Sequence, residues 1–177
     1  MKKTIISSLL AVAALAPVAS FAADGTINFT GTVTDQTCTI TGDNGTNYTV
    51  NLPKVGASSL ASAGNKAGAT PFSIKLSNCS TSATGARANF EIGANVDTSS
   101  GYLKNTSTGS TAATNVQIGL AAQDGTEIKL NATQPTTFFP ITNKAANLTY
   151  LAQYVANGGA AGAGAVTTNV QYTIVYQ

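Results

Sequence analysis

Residue types that could perform catalysis are scarce in this 177-residue sequence. It contains no His, two Cys and only 9% charged residues. Without His, Ser-His-Asp and Cys-His mechanisms are excluded, together with the commonest side-chain ligand of metals. We interpret the neighbouring carboxylates Asp124 and Glu127 as a polar turn before a strand, in preference to a glycosidase or calcium pair. We therefore expect no catalytic residue, metal or cofactor, and a structural or binding protein in preference to an enzyme.

The N-terminal 22 residues have the organisation of a secretory signal peptide. Lys2 and Lys3 precede the mostly apolar stretch Ile5–Ala16, and Ser20 and Ala22 provide small residues at the −3 and −1 positions of a cleavage site. The apolar stretch is shorter than the ~17–25 residues that a transmembrane helix needs. We predict cleavage after Ala22, export, and no membrane span in the mature chain.

The charge of the mature chain also restricts its partners. Removal of Lys2 and Lys3 leaves equal numbers of basic and acidic residues. A neutral chain has no basic surface for phosphates, so nucleic acid is not an expected partner. Near-zero charge removes long-range repulsion between copies and is compatible with close self-association.

Cys38 and Cys79 are the two cysteines of the chain. The cysteines of redox motifs usually lie within a few residues of each other, and a metal site would require further His or Cys ligands. An exported pair is expected to be oxidised, so we predict a structural disulfide. Closing a loop of this length stabilises a fold by about 4 kcal/mol in the chain-entropy description.

Alternation of apolar and polar residues with a period of two predicts strands along most of the chain. Turns rich in Gly, Asn and Asp separate these runs, and no segment has convincing helical periodicity, which favours one all-β sandwich with antiparallel sheets. Segments 57–69 and 160–165 are predicted to be loops, with at most one helical turn near Leu60. The alternating runs are Thr26–Val33, Tyr48–Leu52, Phe72–Leu76, Ala88–Ile92, Val116–Leu120, Ile128–Leu130, Leu148–Tyr154 and Val166–Tyr176.

The two ends of the mature chain have pronounced alternation. On alternation alone, both are interpreted as ordinary terminal strands of one complete sandwich. At the N-terminus, one face carries Gly25, Ile27, Phe29 and Gly31. At the C-terminus, one face carries Val166, Thr168, Val170, Tyr172, Ile174 and Tyr176.

These segments give the sequence a family resemblance. It resembles the pilin subunits of chaperone–usher fimbriae, most closely the major shaft subunits of type 1-like fimbriae. The matching features are Gly25–Phe29 before the first cysteine, Pro71–Cys79, and a C-terminal pattern with Gly164 fourteenth from the end and a penultimate Tyr176. They span nearly the whole mature chain, and their order, together with the signal peptide and the single cysteine pair, makes the resemblance specific.

The resemblance implies an incomplete immunoglobulin-like β-sandwich that lacks its final strand. Residues 1–22 would be the signal peptide, 23–35 an N-terminal donor-strand extension and 36–177 the pilin domain. A periplasmic chaperone would first lend a strand to the subunit. At the outer-membrane usher, the extension of another copy would replace that strand, which gives a head-to-tail filament at the cell surface that supports adhesion.

The resemblance also assigns roles to individual residues. A chaperone with basic groups would hold the carboxylate of Gln177. Thr168 stands where an aliphatic residue is expected, and the small residues of 160–165 predict a loosely packed end of the groove. The predicted donor positions are Gly25, Ile27, Phe29 and Gly31. The predicted positions for the acceptor groove and for chaperone binding are Gly164, Val166, Val170, Tyr172, Ile174, Tyr176 and Gln177.

Two alternative functions remain open from the sequence. One is a minor adaptor or tip-proximal fimbrial subunit with its own donor strand. The other is a self-contained secreted binding domain with a complete sandwich. Seven Asn-x-Ser/Thr triplets would suggest glycosylation in a secreted eukaryotic protein, but we interpret them as a consequence of the Asn-, Ser- and Thr-rich composition.

Overall fold

A computed structural model describes residues 27–31, 33, 35, 37–41, 46–47 and 49–177. The chain divides into two units, Met1–Val33 and Thr34–Gln177. In the first unit, the described residues are in no strand and their side chains are exposed. The predicted signal peptide and Gly25 lie outside the described residues.

The described part of the second unit contains nine strands and one short 3-10 helix at Ala57–Leu60. Strand β8 has 11 residues and buries Leu148, Tyr150 and Ala152 on one face, as its sequence alternation predicts. The strands are β1 Thr39–Ile40, β2 Lys66–Ser77, β3 Gly85–Phe90, β4 Leu103–Lys104, β5 Val116–Ala122, β6 Glu127–Ile128, β7 Phe139–Pro140, β8 Ala146–Ala156 and β9 Tyr172–Tyr176.

These strands form two sheets in which every strand pair is antiparallel. The larger sheet has the order β1-β2-β8-β5-β4, and β6 also pairs with β5. The smaller sheet has the order β7-β3-β9. The prediction of an all-β chain with antiparallel sheets is therefore confirmed.

Apolar side chains from both sheets form the core. Tyr150 of β8 lies at its centre, where its ring centroid is 5.1 Å from that of Phe90 on β3 and 5.9 Å from that of Phe72 on β2. The Tyr150 hydroxyl accepts a hydrogen bond of 2.8 Å from the backbone N–H of Ala88, so this side chain joins the two sheets. Burial raises the pKa of Tyr150, which favours its neutral form.

The predicted disulfide between Cys38 and Cys79 is confirmed. Cys38 immediately precedes β1 and Cys79 follows β2, so the bond fixes the start of the second unit to one end of the larger sheet. Cys79 is buried in the core. The bond adds a covalent constraint to the short β1–β2 pairing, which joins only two residue pairs.

Several strand boundaries differ from the sequence predictions, and the described residues of the predicted run Thr26–Val33 form no strand. Residues 49–52 form no strand although their side chains alternate, because nothing described pairs with their backbone. Strand β2 begins at Lys66, so the predicted loop 57–69 is too long. Strand β9 begins at Tyr172, later than the alternation suggested, because the pairing with β3 starts between Tyr172 and Phe90.

Candidate functional site

Strand β9 is at the edge of the smaller sheet. It pairs with β3 from Ala86↔Tyr176 to Phe90↔Tyr172, and no described strand pairs with its other edge. An edge of this kind presents backbone N–H and C=O groups that can pair with another strand. The edge therefore has the chemistry needed to accept one more strand.

A groove lies beside this end of the chain and exposes part of the core. Its volume is about 620 Å³. One wall is formed by described residues of 46–52, the other by 166–170 and Tyr172, and apolar side chains from both sheets form its floor. No backbone hydrogen bond between the two walls occurs among the described residues. The floor residues are Phe72, Ile74, Phe90, Leu103, Ile118, Leu120, Ala152 and Tyr154.

Two tyrosine side chains reach from β9 to the N-terminal part of the second unit. The Tyr172 hydroxyl donates a hydrogen bond of 3.1 Å to the backbone oxygen of Thr46. The Tyr176 hydroxyl accepts one of 3.0 Å from the backbone N–H of Cys38. Burial raises the pKa of Tyr172. No backbone hydrogen bond joins these two segments to Tyr172 or Tyr176 among the described residues, so the tyrosine hydroxyls provide the hydrogen bonds between them.

The predicted acceptor residues occupy different parts of this region. Val166, Val170 and Tyr172 line the groove. Ile174 and Tyr176 are half-buried and pack against the core without lining the groove. The alternation predicted from the sequence is present, because the side chains between Val166 and Tyr172 are alternately half-buried and exposed.

Gly164 lies at the end of the groove and not in its lining. A Cβ atom at this position would be 2.4 Å from the backbone N of Ala113 and 2.5 Å from the carbonyl carbon of Ala112, so only Gly fits. The backbone N–H of Ala165 donates to the oxygen of Thr111 at 2.7 Å, and Ala165 accepts from Ala113 at 2.9 Å. The prediction of a loosely packed segment 160–165 is wrong, because small side chains allow this close backbone contact.

The backbone of Gln177 is hydrogen-bonded to Thr84 and Gly85, at the start of β3. Its backbone oxygen accepts hydrogen bonds from the N–H of Thr84 at 2.8 Å and from the Thr84 hydroxyl at 2.9 Å. Its N–H donates to the oxygen of Gly85 at 2.9 Å. The Gln177 side chain is exposed at this edge of the smaller sheet.

The N-terminal unit carries the described donor candidates. Ile27 is 79% exposed and Phe29 is 90% exposed, both unusually high for large apolar side chains. Gly31 lies in open surroundings, with no atom within 4 Å of a Cβ built on it.

Residues with titratable groups form a surface network and not a catalytic site. Glu127 accepts hydrogen bonds from Lys66 at 2.7 Å and from the Tyr102 hydroxyl at 2.8 Å. The bond from Lys66 is the main cause of the lowered pKa of Glu127, and burial raises the pKa of Tyr102 to about 12. Asp124 accepts a bond from the N–H of Thr126, which agrees with the predicted polar turn.

No group of three or more His, Cys, Asp or Glu side chains among the described residues has the arrangement to hold a metal ion. In the same residues, no helix has the length and apolar character to cross a membrane.

Sequence reasoning identified the C-terminal wall of the groove but did not assign the opposite wall or the floor. Val50 and Leu52 were predicted as strand residues, and the structure places them in the lining of the groove. All floor residues except Leu103 lie in the alternating runs predicted to be strands. The sequence contains no signal that distinguishes a core position beneath an open groove from one beneath a complete sheet.

The structure is an all-β fold of two antiparallel sheets with a groove that exposes apolar core side chains. A protein-family model with the description "Fimbrial protein" matches residues 27–177. The F17 fimbrial protein of Escherichia coli is 47% identical over 94% of this chain and 94% of its own length. The major fimbrial subunit SMF-1 of Stenotrophomonas maltophilia is 43% identical over 92% of this chain and 98% of its own. A solved chaperone–usher pilus structure has a TM-score of 0.61 at 21% identity, covering 88% of this chain and 96% of that one.

The chain belongs to the fimbrial protein family. Its function is that of a structural subunit in surface fimbriae, and the predicted resemblance to fimbrial subunits is confirmed.

Proposed function

We propose that each subunit is an incomplete immunoglobulin-like sandwich completed by a strand from another molecule. The observation that carries the proposal is the groove beside the unpaired edge of β9, with apolar core side chains on its floor. Backbone pairing along β9 would set the register of the incoming strand, and apolar side chains entering the groove would remove its floor from water.

The strand that fills the groove comes, in this proposal, from the extension 23–35 of a second copy. Exposure of Ile27 and Phe29 supports this choice, since both are apolar and lie at alternate positions. Burial of each would contribute roughly 1.5–3 kcal/mol. Residues 1–22 would be removed as a signal peptide, Gly25 and Gly31 would be the small donor positions, and 36–177 would form the pilin domain.

A subunit with one donor and one groove would form an open, head-to-tail filament. The contact is heterologous because different surfaces meet, and such contacts propagate into fibres unless a rotation closes them. Before assembly, a periplasmic chaperone would occupy the groove and bind the Tyr176–Gln177 end, and an outer-membrane usher would catalyse the exchange. The name of the solved chaperone–usher pilus supports this route.

We assign the subunit to the shaft of the fimbria in preference to a minor adaptor position. The Stenotrophomonas maltophilia relative is named a major fimbrial subunit and is 43% identical over nearly its whole length. A major subunit of Haemophilus influenzae is 33% identical over all of both chains. Labelling of native fimbriae with an antibody to this chain should therefore mark the whole fibre, whereas labelling confined to one end would indicate the adaptor.

Charge substitutions in the extension 23–35 test the donor role. They are made in a chain that comprises residues 23–177. Phe29→Asp places a carboxylate on the face that would enter the groove, so we expect polymers to be lost in size-exclusion chromatography and electron microscopy. Thr30→Asp adds the same charge on the opposite face and should leave polymerisation intact. Polymerisation of Phe29→Asp at the unsubstituted level would overturn the proposed donor.

A further inference from the structure

Thr168 places a polar atom in an otherwise apolar wall of the groove. It lies between Val166 and Val170 on the half-buried face of the C-terminal segment. Its Oγ1 atom is buried and has no hydrogen-bond partner among the described residues. A buried hydroxyl without a partner destabilises the state in which it occurs, so this position requires a physical explanation.

The residues on either side of Thr168 have partners. The N–H of Thr167 donates to Asn105 Oδ1 at 3.0 Å, and Thr106 donates to the Thr167 oxygen at 2.7 Å. Asn169 Oδ1 accepts from Asn95 at 3.0 Å. These bonds fix the outward side of the segment. Thr168 is therefore held within this wall of the groove, and its hydroxyl has no alternative partner among the described residues.

We propose, on the basis of the strand-acceptor function above, that the main chain of the inserted strand supplies the missing partner of the Thr168 hydroxyl. The inward donor side chains, Ile27 and Phe29 with the glycines at 25 and 31, have no polar atoms. Main-chain N–H and C=O groups are then the polar groups that enter the groove. A hydroxyl donates and accepts, so it can bond either group.

This arrangement makes Thr168 a specificity-determining residue for the occupied state. Thr168 destabilises the empty groove and stabilises the filled one, whereas Val would pack equally well in both. An interaction shifts an equilibrium between two states only if its free energy differs between them. The Thr168 hydroxyl is unsatisfied in the empty groove and bonded in the filled one, so it shifts the equilibrium toward the filled groove. Thr168 therefore helps to retain the inserted strand. A purely apolar wall would favour the filled groove over the empty groove less strongly.

The test uses an acceptor chain that comprises residues 23–177 and carries Phe29→Asp, a substitution that removes the chain's own donor. This acceptor chain is refolded together with a fluorescent peptide of residues 23–35. Thr168→Val should increase the rate of peptide dissociation about tenfold, as expected for the loss of one hydrogen bond. Thr168→Ser keeps the hydroxyl and should dissociate more slowly than Thr168→Val. Thr149→Val is the matched control, because its hydroxyl lies on β8 at 3.0 Å from that of Ser73, outside the groove lining.

A second measurement is the melting temperature of the empty acceptor. Thr168→Val should raise it, because the substitution removes an unsatisfied buried group from the empty state. Dissociation from Thr168→Val at the unsubstituted rate or slower, or a lower melting temperature of its empty form, would overturn the inference. Failure of the acceptor with Thr168 to bind the peptide at all would instead contradict the proposed donor-strand function.

Discussion

At the scale of single residues, tyrosine hydroxyls connect β9 to the N-terminal part of the second unit. Tyr172 and Tyr176 each bond a backbone group of the N-terminal part of the second unit, at Thr46 and Cys38. Both side chains are half-buried and lie on the inward face of the C-terminal segment. A long side chain with a terminal polar group can cross a gap that backbone hydrogen bonds cannot, and the bond from Tyr172 to Thr46 connects the two walls of the groove.

Removal of one of these hydroxyls should weaken the subunit without changing its core. We expect Tyr172→Phe to lower the free energy of unfolding by about 0.5–1.5 kcal/mol, because the Thr46 oxygen loses its bond while the ring stays in place. Urea unfolding of residues 23–177 with Phe29→Asp, with and without the Tyr172→Phe substitution, measures the change in the free energy of unfolding. Tyr154→Phe is the control, since its hydroxyl has no partner among the described residues and its ring also lines the groove. Equal losses in the two variants would contradict a specific role for the Thr46 bond.

At the scale of elements, the sequence predicted side-chain direction more reliably than strand pairing. Alternation placed Leu148, Tyr150 and Ala152 on the buried face of β8, because a period of two follows from strand geometry alone. It did not separate 49–52, which alternates but is unpaired, from paired strands. Pairing depends on which backbone lies beside a segment, and that is a tertiary property. The open edge of β9 was therefore expected from the family resemblance and not from periodicity.

Packing at Gly164 is another tertiary property that could not be predicted from the composition of the segment. The small residues of 160–165 suggested looseness, but lack of a Cβ at Gly164 permits backbone contact with residues 112–113. We expect Gly164→Ala to lower the free energy of unfolding by about 1–3 kcal/mol, since the segment must move to accommodate the methyl group. Gly93→Ala is the matched control, because a Cβ there meets no atom within 4 Å. Urea unfolding of both variants measures the difference, and a Gly164→Ala protein as stable as Gly93→Ala would show that the close approach is not required.

At the scale of the whole molecule, the proposed function gives the filament a polarity, because the proposed donor is at one end of the chain and the proposed acceptor at the other. Residues 23–177 contain equal numbers of acidic and basic residues, so they carry no formal net charge to oppose close approach of copies. A filament built by strand donation would have one terminal subunit with an empty groove and one with an unused extension. Growth at either end then depends on a different surface of the incoming subunit.

Mixing experiments can detect this polarity. A subunit with Phe29→Asp keeps its groove but lacks a competent donor, so it can receive a strand from a filament and cannot pass one on. We expect it to terminate growth at the filament end that exposes an unused extension, and mean filament length in electron micrographs should fall as its proportion rises. Thr30→Asp should be incorporated along the fibre and leave the length unchanged. Full-length filaments at high proportions of Phe29→Asp would mean that subunits associate through surfaces other than the extension and the groove.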